Sequence, residues 1–265
     1  MLNRIVLEKM LPKNTLKALL VAGLLFSTVA QSAVVRIGAA AFTPDAGRIT
    51  FSEFAVGTVN PFYTPADYDG EPSSPNVNFG GRFLGQSGDN GVDCPSGAAA
   101  SGCVLGLPTG PLGLDPNSPN TFIIEDSANP TSPVLTGTPT FNGPVSVLFD
   151  IDLAGVGLDG GFFDAIGGTA IRAFDRQGGI IGTVVNEALN IEFLGLVTTD
   201  GLAAIAGLQF FLVGAEPAGF AIDNLVFATA GQVVVPGQVP VPAALPLFAS
   251  ALGLGAIARR RKVAI

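Results

Sequence analysis

Histidine and tryptophan are absent from this chain of 265 residues, and tyrosine, methionine and cysteine occur only twice each. Without histidine, Ser-His-Asp and Cys-His nucleophilic machinery and any histidine-ligated zinc or haem site are excluded. The shortage of Trp and Tyr removes the aromatic platforms on which sugar faces are usually held. What remains of them, Tyr63 and Tyr68 beside Phe62, is gathered in one loop, so a polysaccharide site is expected to involve that loop. Positive charge is also missing from the middle of the chain. Arg4, Lys9, Lys13 and Lys17 precede the first apolar run, and Arg259, Arg260, Arg261 and Lys262 follow the last; these are eight of the 13 basic residues. Five basic residues are left to face 20 of the 21 acids, all but Glu8, so the middle carries about −15. Such a body repels phosphate backbones and anionic headgroups, which excludes nucleic acid as a partner.

What is present favours strands. The chain is 48% hydrophobic and 13% charged, with 35 Gly and 20 Pro, enough apolar material for one core and many turns between short runs. Arg48 to Phe54 alternates and sets Ile49 and Phe51 on one face. Val145 to Leu153 places Val145, Val147, Phe149, Ile151 and Leu153 inward, and leaves Asp150 and Asp152 on a solvated face. Further strand patterns begin at Ala170, Gly179, Asn190, Ile205 and Phe220, and Asp175 to Gly179 reads as a hairpin turn. Residues 60–140 carry twelve prolines and only a few strand-like pieces, such as Asn78 to Leu84 and Thr121 to Glu125, and read as long loops set into the first half of an antiparallel β-sandwich, where binding sites tend to lie. Gly155 to Gly160 spells G-x-G-x-x-G, but no helix follows to aim at a phosphate, so it reads as a turn.

Both ends are hydrophobic. Lys13 and Lys17, the run Ala18 to Val29 and the small residues Ala30 and Ser32 form a secretory signal over residues 1–32, cleaved after Ser32 or Ala33; Met10 is an alternative start. At the other end, residues 231–242 form a linker held extended by Pro236, Pro240 and Pro242. Residues 243–265 then offer an apolar stretch closed by Arg259, Arg260, Arg261 and Lys262. Counted from Val239, about 20 residues reach about 30 Å as a helix, one hydrocarbon thickness. The basic end acts as a stop-transfer signal on the cytoplasmic side.

The order of these parts carries a resemblance. Val239, Pro240, Val241, Pro242 and Ala243, followed by Ala-Leu-Pro-Leu-Phe, an apolar stretch with Gly253 and Gly255 and the basic end, are similar to a PEP-CTERM sorting tail. The match is to the variant whose signature is Val-Pro-Leu-Pro-Ala, with Val241 in place of Leu and no Pro-Glu-Pro triplet. The resemblance covers about the last 27 residues and implies recognition by exosortase, a membrane protease, and delivery to the cell surface or exopolysaccharide matrix. The strand ending Ile222-Asp-Asn-Leu-Val-Phe227 resembles the closing strand of jelly-roll domains in such proteins. That implies a jelly roll for the exported residues 33–230, with an immunoglobulin-like sandwich as the alternative.

Little chemistry is spelled in the exported part. Cys94 and Cys103 are the only cysteines, and in an oxidising compartment they are expected to form a disulfide that orders a Pro/Gly-rich loop. The jelly-roll resemblance implies structural calcium held by acids near the first and last strands, Glu53 and Asp223. The loops Asp67 to Glu71 and Asp89 to Asp93 also offer closely spaced carboxylates. No catalytic residue is assigned and no other cofactor is expected. The sequence describes an exported, non-enzymatic structural or adhesive protein, the rival being a glycan-active hydrolase or carbohydrate-binding module displayed by the same tail.

Overall fold

Short apolar runs between prolines and glycines produce short strands in the first half of the chain and long ones in the second. The computed structural model describes residues 33–88, 93–217 and 220–237. The signal segment 1–32, the sorting motif Val239 to Ala243 and the basic cluster Arg259 to Lys262 lie outside the described residues. In chain order the strands are β1 (Val34–Ile37), β2 (Gly47–Ile49), β3 (Phe62–Tyr63), β4 (Val77–Gly80), β5 (Ser87–Gly88), β6 (Val104–Leu105), β7 (Thr121–Ile124) and β8 (Val134–Gly137). Then follow β9 (Val145–Leu153), β10 (Gly155–Phe163), β11 (Thr169–Phe174), β12 (Ile180–Val185), β13 (Asn190–Thr198), β14 (Ile205–Leu212) and β15 (Ala221–Ala228).

Strands β5 and β6 pair as a separate two-stranded sheet, and the other thirteen build an all-β sandwich of two antiparallel sheets. One runs β1-β13-β10-β15-β8-β7, with β2 also pairing β15, and the other runs β12-β11-β14-β9-β4-β3. Consecutive strands β9 to β15 cross repeatedly between the sheets, so the two inner faces share a core. Phe149 and Phe227 meet across it at 5.6 Å, and Phe163 and Phe210 at 6.2 Å. Each fully buried Phe of this kind contributes about 1.5–3 kcal/mol through area removed from water.

The outer faces are covered as well, which explains runs that are apolar throughout instead of alternating. Every residue of β14 is buried. Leu208, Phe210 and Leu212 join the inner core, while Ala206 belongs to a second cluster with Phe83, Leu112 and Phe174. Gln209 on the same outer face exchanges two hydrogen bonds with Gln86, at 2.9 and 2.8 Å, and donates to Ser146 Oγ at 2.9 Å. Residues 60–140 are therefore more than loops. They supply β3 and β4 to one sheet and β7 and β8 to the other, and their remaining segments cover β14. On the first sheet the cover comes from the two ends of the folded chain. Phe42 pairs with Val233 in an isolated bridge, and both are buried with Ile37, Val235, Ala154, Val197, Val226 and Ala228.

Three details depart from the sequence reading. The strand predicted over residues 48–54 stops at Ile49, because Phe51 takes φ +59° and the Glu53 carboxylate turns back to Thr50. Ile49 and Phe51 are nevertheless both fully buried. Ile151 is exposed, since the β9–β14 register shifts between Ile205 and Gly207 and breaks the alternation. Gly155 to Gly160 is not a turn but the body of β10, where the missing Cβ atoms make room for aromatic rings. A Cβ at Gly157 would lie 2.5 Å from the Phe193 ring, and one at Gly160 would lie 2.7 Å from the Phe163 ring. The hairpin at Asp175 forms as expected: Asp175 Oδ1 accepts the N–H groups of Gln177 and Gly179, each at 2.8 Å, and Gly178 takes φ +83°.

Candidate functional site

Carboxylates are the only abundant chemistry, so their partners decide what the surface can do. Glu53 Oε1 accepts the Thr50 N–H at 2.8 Å and its hydroxyl at 2.9 Å, which closes the turn after β2. Its Oε2 is buried without a partner. Asp223 accepts the Asn224 N–H at 2.7 Å, Asn129 Nδ2 at 3.3 Å, Asn224 Nδ2 at 3.2 Å and the Thr131 hydroxyl. Glu53 and Asp223 therefore have no hydrogen-bonding partner in common. Among the described residues no three Asp, Glu, His or Cys side chains group as a metal site.

Asp223 is 1% exposed and lies directly across the ladder from Asp159 of β10. Asn224, at φ +46°, bulges β15 so that Asp223 faces outward between inward Ile222 and Leu225, and its Nδ2 also donates to Asp159 at 2.9 Å. Burial pushes the Asp223 carboxyl up to about 6, against the opposing effect of Thr131 and Asn224, and the Asp159 charge pushes it the same way. Burial also raises Asp159, with Asn224 and Arg48 opposing. The loop Asp126 to Thr131 lies over this pair, and Asp126, Asn129 and Asp159 line a crevice of about 10 Å³, the space of about one water.

The aromatic loop behaves differently from the expectation. Tyr63 is fully buried, and burial together with the Glu53 and Asp67 charges pushes its phenol far up. The Tyr68 hydroxyl donates to the Pro75 carbonyl at 2.5 Å, its ring meets Phe227 edge-on at 5.2 Å, and burial raises its phenol to about 12. Both tyrosines are core residues, leaving Phe62 exposed. Asp67 is likewise spent within the loop. It closes a capping box on Thr64, accepting the Thr64 N–H at 2.7 Å and hydroxyl at 2.6 Å, and those bonds hold its carboxyl below the usual range.

Beside this loop lies a polar cleft of about 750 Å³, where residues 44–48 face residues 68–74; Asp45, Arg48, Tyr68, Asp69, Glu71 and Ser74 line it. Gln232 braces one wall, donating to the Asp45 carbonyl at 2.8 Å. The sequence pointed to Asp69 and Glu71 only as members of an acidic turn. It carried no signal for Asp45 and Arg48, which reach the cleft because β2 pairs with β15 and its preceding turn docks on Gln232. Of the loop Asp89 to Asp93, only Asp93 is described.

The Cys94–Cys103 disulfide is formed, with the two Cα atoms 5.9 Å apart. Cys103 is buried and bridges to Leu212 at the end of β14, and Gly102 lies against Leu212 and Phe220, so the bridged loop plugs one end of the core. Glu216, which sequence reading passed over, ties this plug to the next loop. Its carbonyl accepts the Ala99 N–H at 2.8 Å, while its fully buried carboxylate accepts the N–H groups of Asp164 and Ala165 at 3.1–3.2 Å. Burial raises the Glu216 carboxyl, those N–H groups oppose the rise, and the Asp164 charge adds to it.

No protein-family profile matches the chain, and no curated protein matches it. Among solved structures, the enzymatically active domain of bacteriophage CBA120 tailspike protein 4 is similar over 57% of this chain and 19% of that one, at 15% identity and a TM-score of 0.24. A likeness of that size identifies neither a fold family nor an activity.

Proposed function

We propose that this chain is an exported protein of the cell surface or extracellular matrix, structural or adhesive in role and associated with exopolysaccharide. A cleaved signal over residues 1–32 delivers it, and the PEP-CTERM-like tail sorts it. The observation that carries the reading is the extent of the described body. Among the described residues its first strand begins at Val34, directly after the expected cleavage site, and its last buried residue is Val235, within the stretch 231–242 read as a linker and directly before its first proline, Pro236. The disulfide suits an oxidising compartment.

Strand order supports a jelly roll for the body. Strands β2-β15-β10-β13 in one sheet and β9-β14-β11-β12 in the other alternate as two Greek keys do. The way the acids are used favours a scaffold over a hydrolase, because most described carboxylates hold loop N–H groups or side chains in place. In this reading an exosortase-type protease acts on Val239 to Ala243 while the apolar stretch and Arg259 to Lys262 hold the protein in the membrane. Expression of the full chain in a bacterium with an exosortase, followed by fractionation and intact-mass analysis, tests it. The expected product lies in the surface or matrix fraction, begins at Ala33 or Val34 and lacks the basic end. Recovery in the cytosol with residues 1–30 retained overturns the proposal.

A further inference from the structure

The loop that joins β7 to β8 is closed by its own groups. The Asp126 N–H donates to Ser132 Oγ at 2.8 Å, Asp126 Oδ1 accepts the Ala128 N–H at 2.9 Å, and Asn129 Oδ1 accepts the Thr131 N–H at 3.1 Å. Among the described residues, the side chains of residues 125–132 reach the rest of the body through three hydrogen bonds, and all three end on Asp223 or Asn224. Asn129 Nδ2 donates to Asp223 Oδ2 at 3.3 Å, the Thr131 hydroxyl meets the same oxygen, and Asn224 Nδ2 donates to Thr131 Oγ1 at 3.3 Å. The loop is thus docked on β15 at a single place. That place is buried, with Asp223 1% exposed.

With Asp223 ionised, the protons there do not balance. The Thr131 N–H fixes which end of the Asn129 amide is oxygen, and so turns Nδ2 toward Asp223. The Thr131 hydroxyl then faces two acceptors, Asn129 Oδ1 at 2.9 Å and Asp223 Oδ2, with one proton to give. An ionised Asp223 leaves one of these buried oxygen pairs without a proton between them, which is costly. A proton on Asp223 Oδ2 completes the chain: the carboxyl donates to Thr131 Oγ1, and Thr131 donates to Asn129 Oδ1. Asp223 Oδ1 keeps the Asn224 N–H at 2.7 Å in either state.

We infer that residues 125–132 are a proton-dependent latch, held shut over β10 and β15 while Asp223 carries a proton and opening more often once it ionises, which uncovers the paired carboxylates of Asp159 and Asp223. Every charge that faces the pair can be named. Asp159 lies directly across the ladder on β10, Asp126 of the loop lines the same crevice as Asp159, and Arg48 of β2 acts on Asp159. Strand β8, paired to β15 at Ile222, brings the apolar Leu135. The two neighbouring acids oppose a further negative charge, so ionisation of Asp223 favours release. The shut form has its carboxyl at about 6, against 3.8 for the ordinary group. Closure is therefore fully present below 3.8 and is lost as pH rises through about 6. If opening restores the ordinary value, the opening constant rises about tenfold between pH 5 and pH 7.5.

The test is hydrogen–deuterium exchange of the full chain, disulfide intact and in chelator, at pH 5 and pH 7.5, with rates corrected for the intrinsic pH dependence of amide exchange. Protection of residues 125–132 should fall about tenfold at the higher pH. Low urea should leave the loop's exchange unchanged while accelerating that of β14, because the opening is local. Asp223→Asn cannot titrate, so its loop should exchange equally at both pH values. Thr131→Val removes the acceptor for the Asp223 proton and should raise loop exchange more at pH 5 than at pH 7.5. Urea unfolding of each variant checks that it folds, and either variant alone decides the matter if the other does not. Loop protection that is constant with pH in the parent, a tenfold change that persists in Asp223→Asn, an equal effect of Thr131→Val at both pH values, or loop exchange as sensitive to urea as that of β14 overturns the inference.

Discussion

The carboxylates facing each other across β10 and β15 make stability depend on pH in a direction opposite to that of most buried salt-bridged acids. Asp223 has no Lys or Arg among its hydrogen-bonding partners, only Asn129, Thr131 and Asn224, and its pKa rises from 3.8 to about 6. At about 1.36 kcal/mol per pH unit this corresponds to about 3 kcal/mol set against the ionised form. Between 3.8 and about 6 the folded chain holds a proton that the unfolded chain has lost, so this site's contribution to stability falls as pH rises. Above about 6 the full cost is present. Asp159→Asn leaves that comparison intact but removes the neighbouring charge, whereas Asp223→Asn removes the titration itself and also loses acceptor oxygens, a loss that does not vary with pH. Urea unfolding of the parent and of Asp223→Asn at half-unit steps from pH 4 to pH 8 isolates the effect as a difference between two curves. The parent's advantage should be greatest at the acid end and shrink by about 2.4 kcal/mol between pH 4 and pH 8, part of the cost being already present at pH 4. A flat difference, or one that grows with pH, refutes the reasoning and means that the loop Asp126 to Thr131 lets water reach Asp223.

Reducing the Cys94–Cys103 bond, which closes a separation of nine residues, should cost up to roughly 3 kcal/mol on the chain-entropy account, seen as a lower melting temperature with reductant. Glu216→Ala strands the N–H groups of Asp164 and Ala165 and should destabilise by about 2–4 kcal/mol in chemical denaturation, while Glu216→Gln, which keeps an acceptor, should cost less. Calcium, implied by the jelly-roll resemblance, is checked by melting curves in chelator and in millimolar calcium. A folded-state site with Glu53 or Asp223 as ligand raises the midpoint by mass action and an unchanged curve removes it.

How much of this was legible in the sequence follows from the range of the forces concerned. The strands of the second half other than β10 could be read because each is a long apolar run whose period is fixed within the run itself, and the Asp175 hairpin because its turn bonds span five residues. The failures came where a distant segment overrode the local pattern. Ile151 left the core because β14 sets the register of β9, and the glycines of β10 looked like a turn until Phe193 and Phe210 were found to fill the space they leave. The prolines between residues 60 and 140 limit strands there to two to four residues, so β4 and β7 showed only as strand-like pieces while β3 and β8 went unread, although these four extend both sheets. The same distance rule governs the sites. The disulfide lay within ten residues and needed only the compartment to be inferred, whereas the cleft assembles residues 44–48, 68–74 and, through Gln232, the end of the folded body. Nothing in Asp45 or Arg48 alone announces that meeting. Their meeting depends on β2 pairing with β15, which brings the first and last parts of the body side by side, so the cleft and the fold's closing strand stand or fall together.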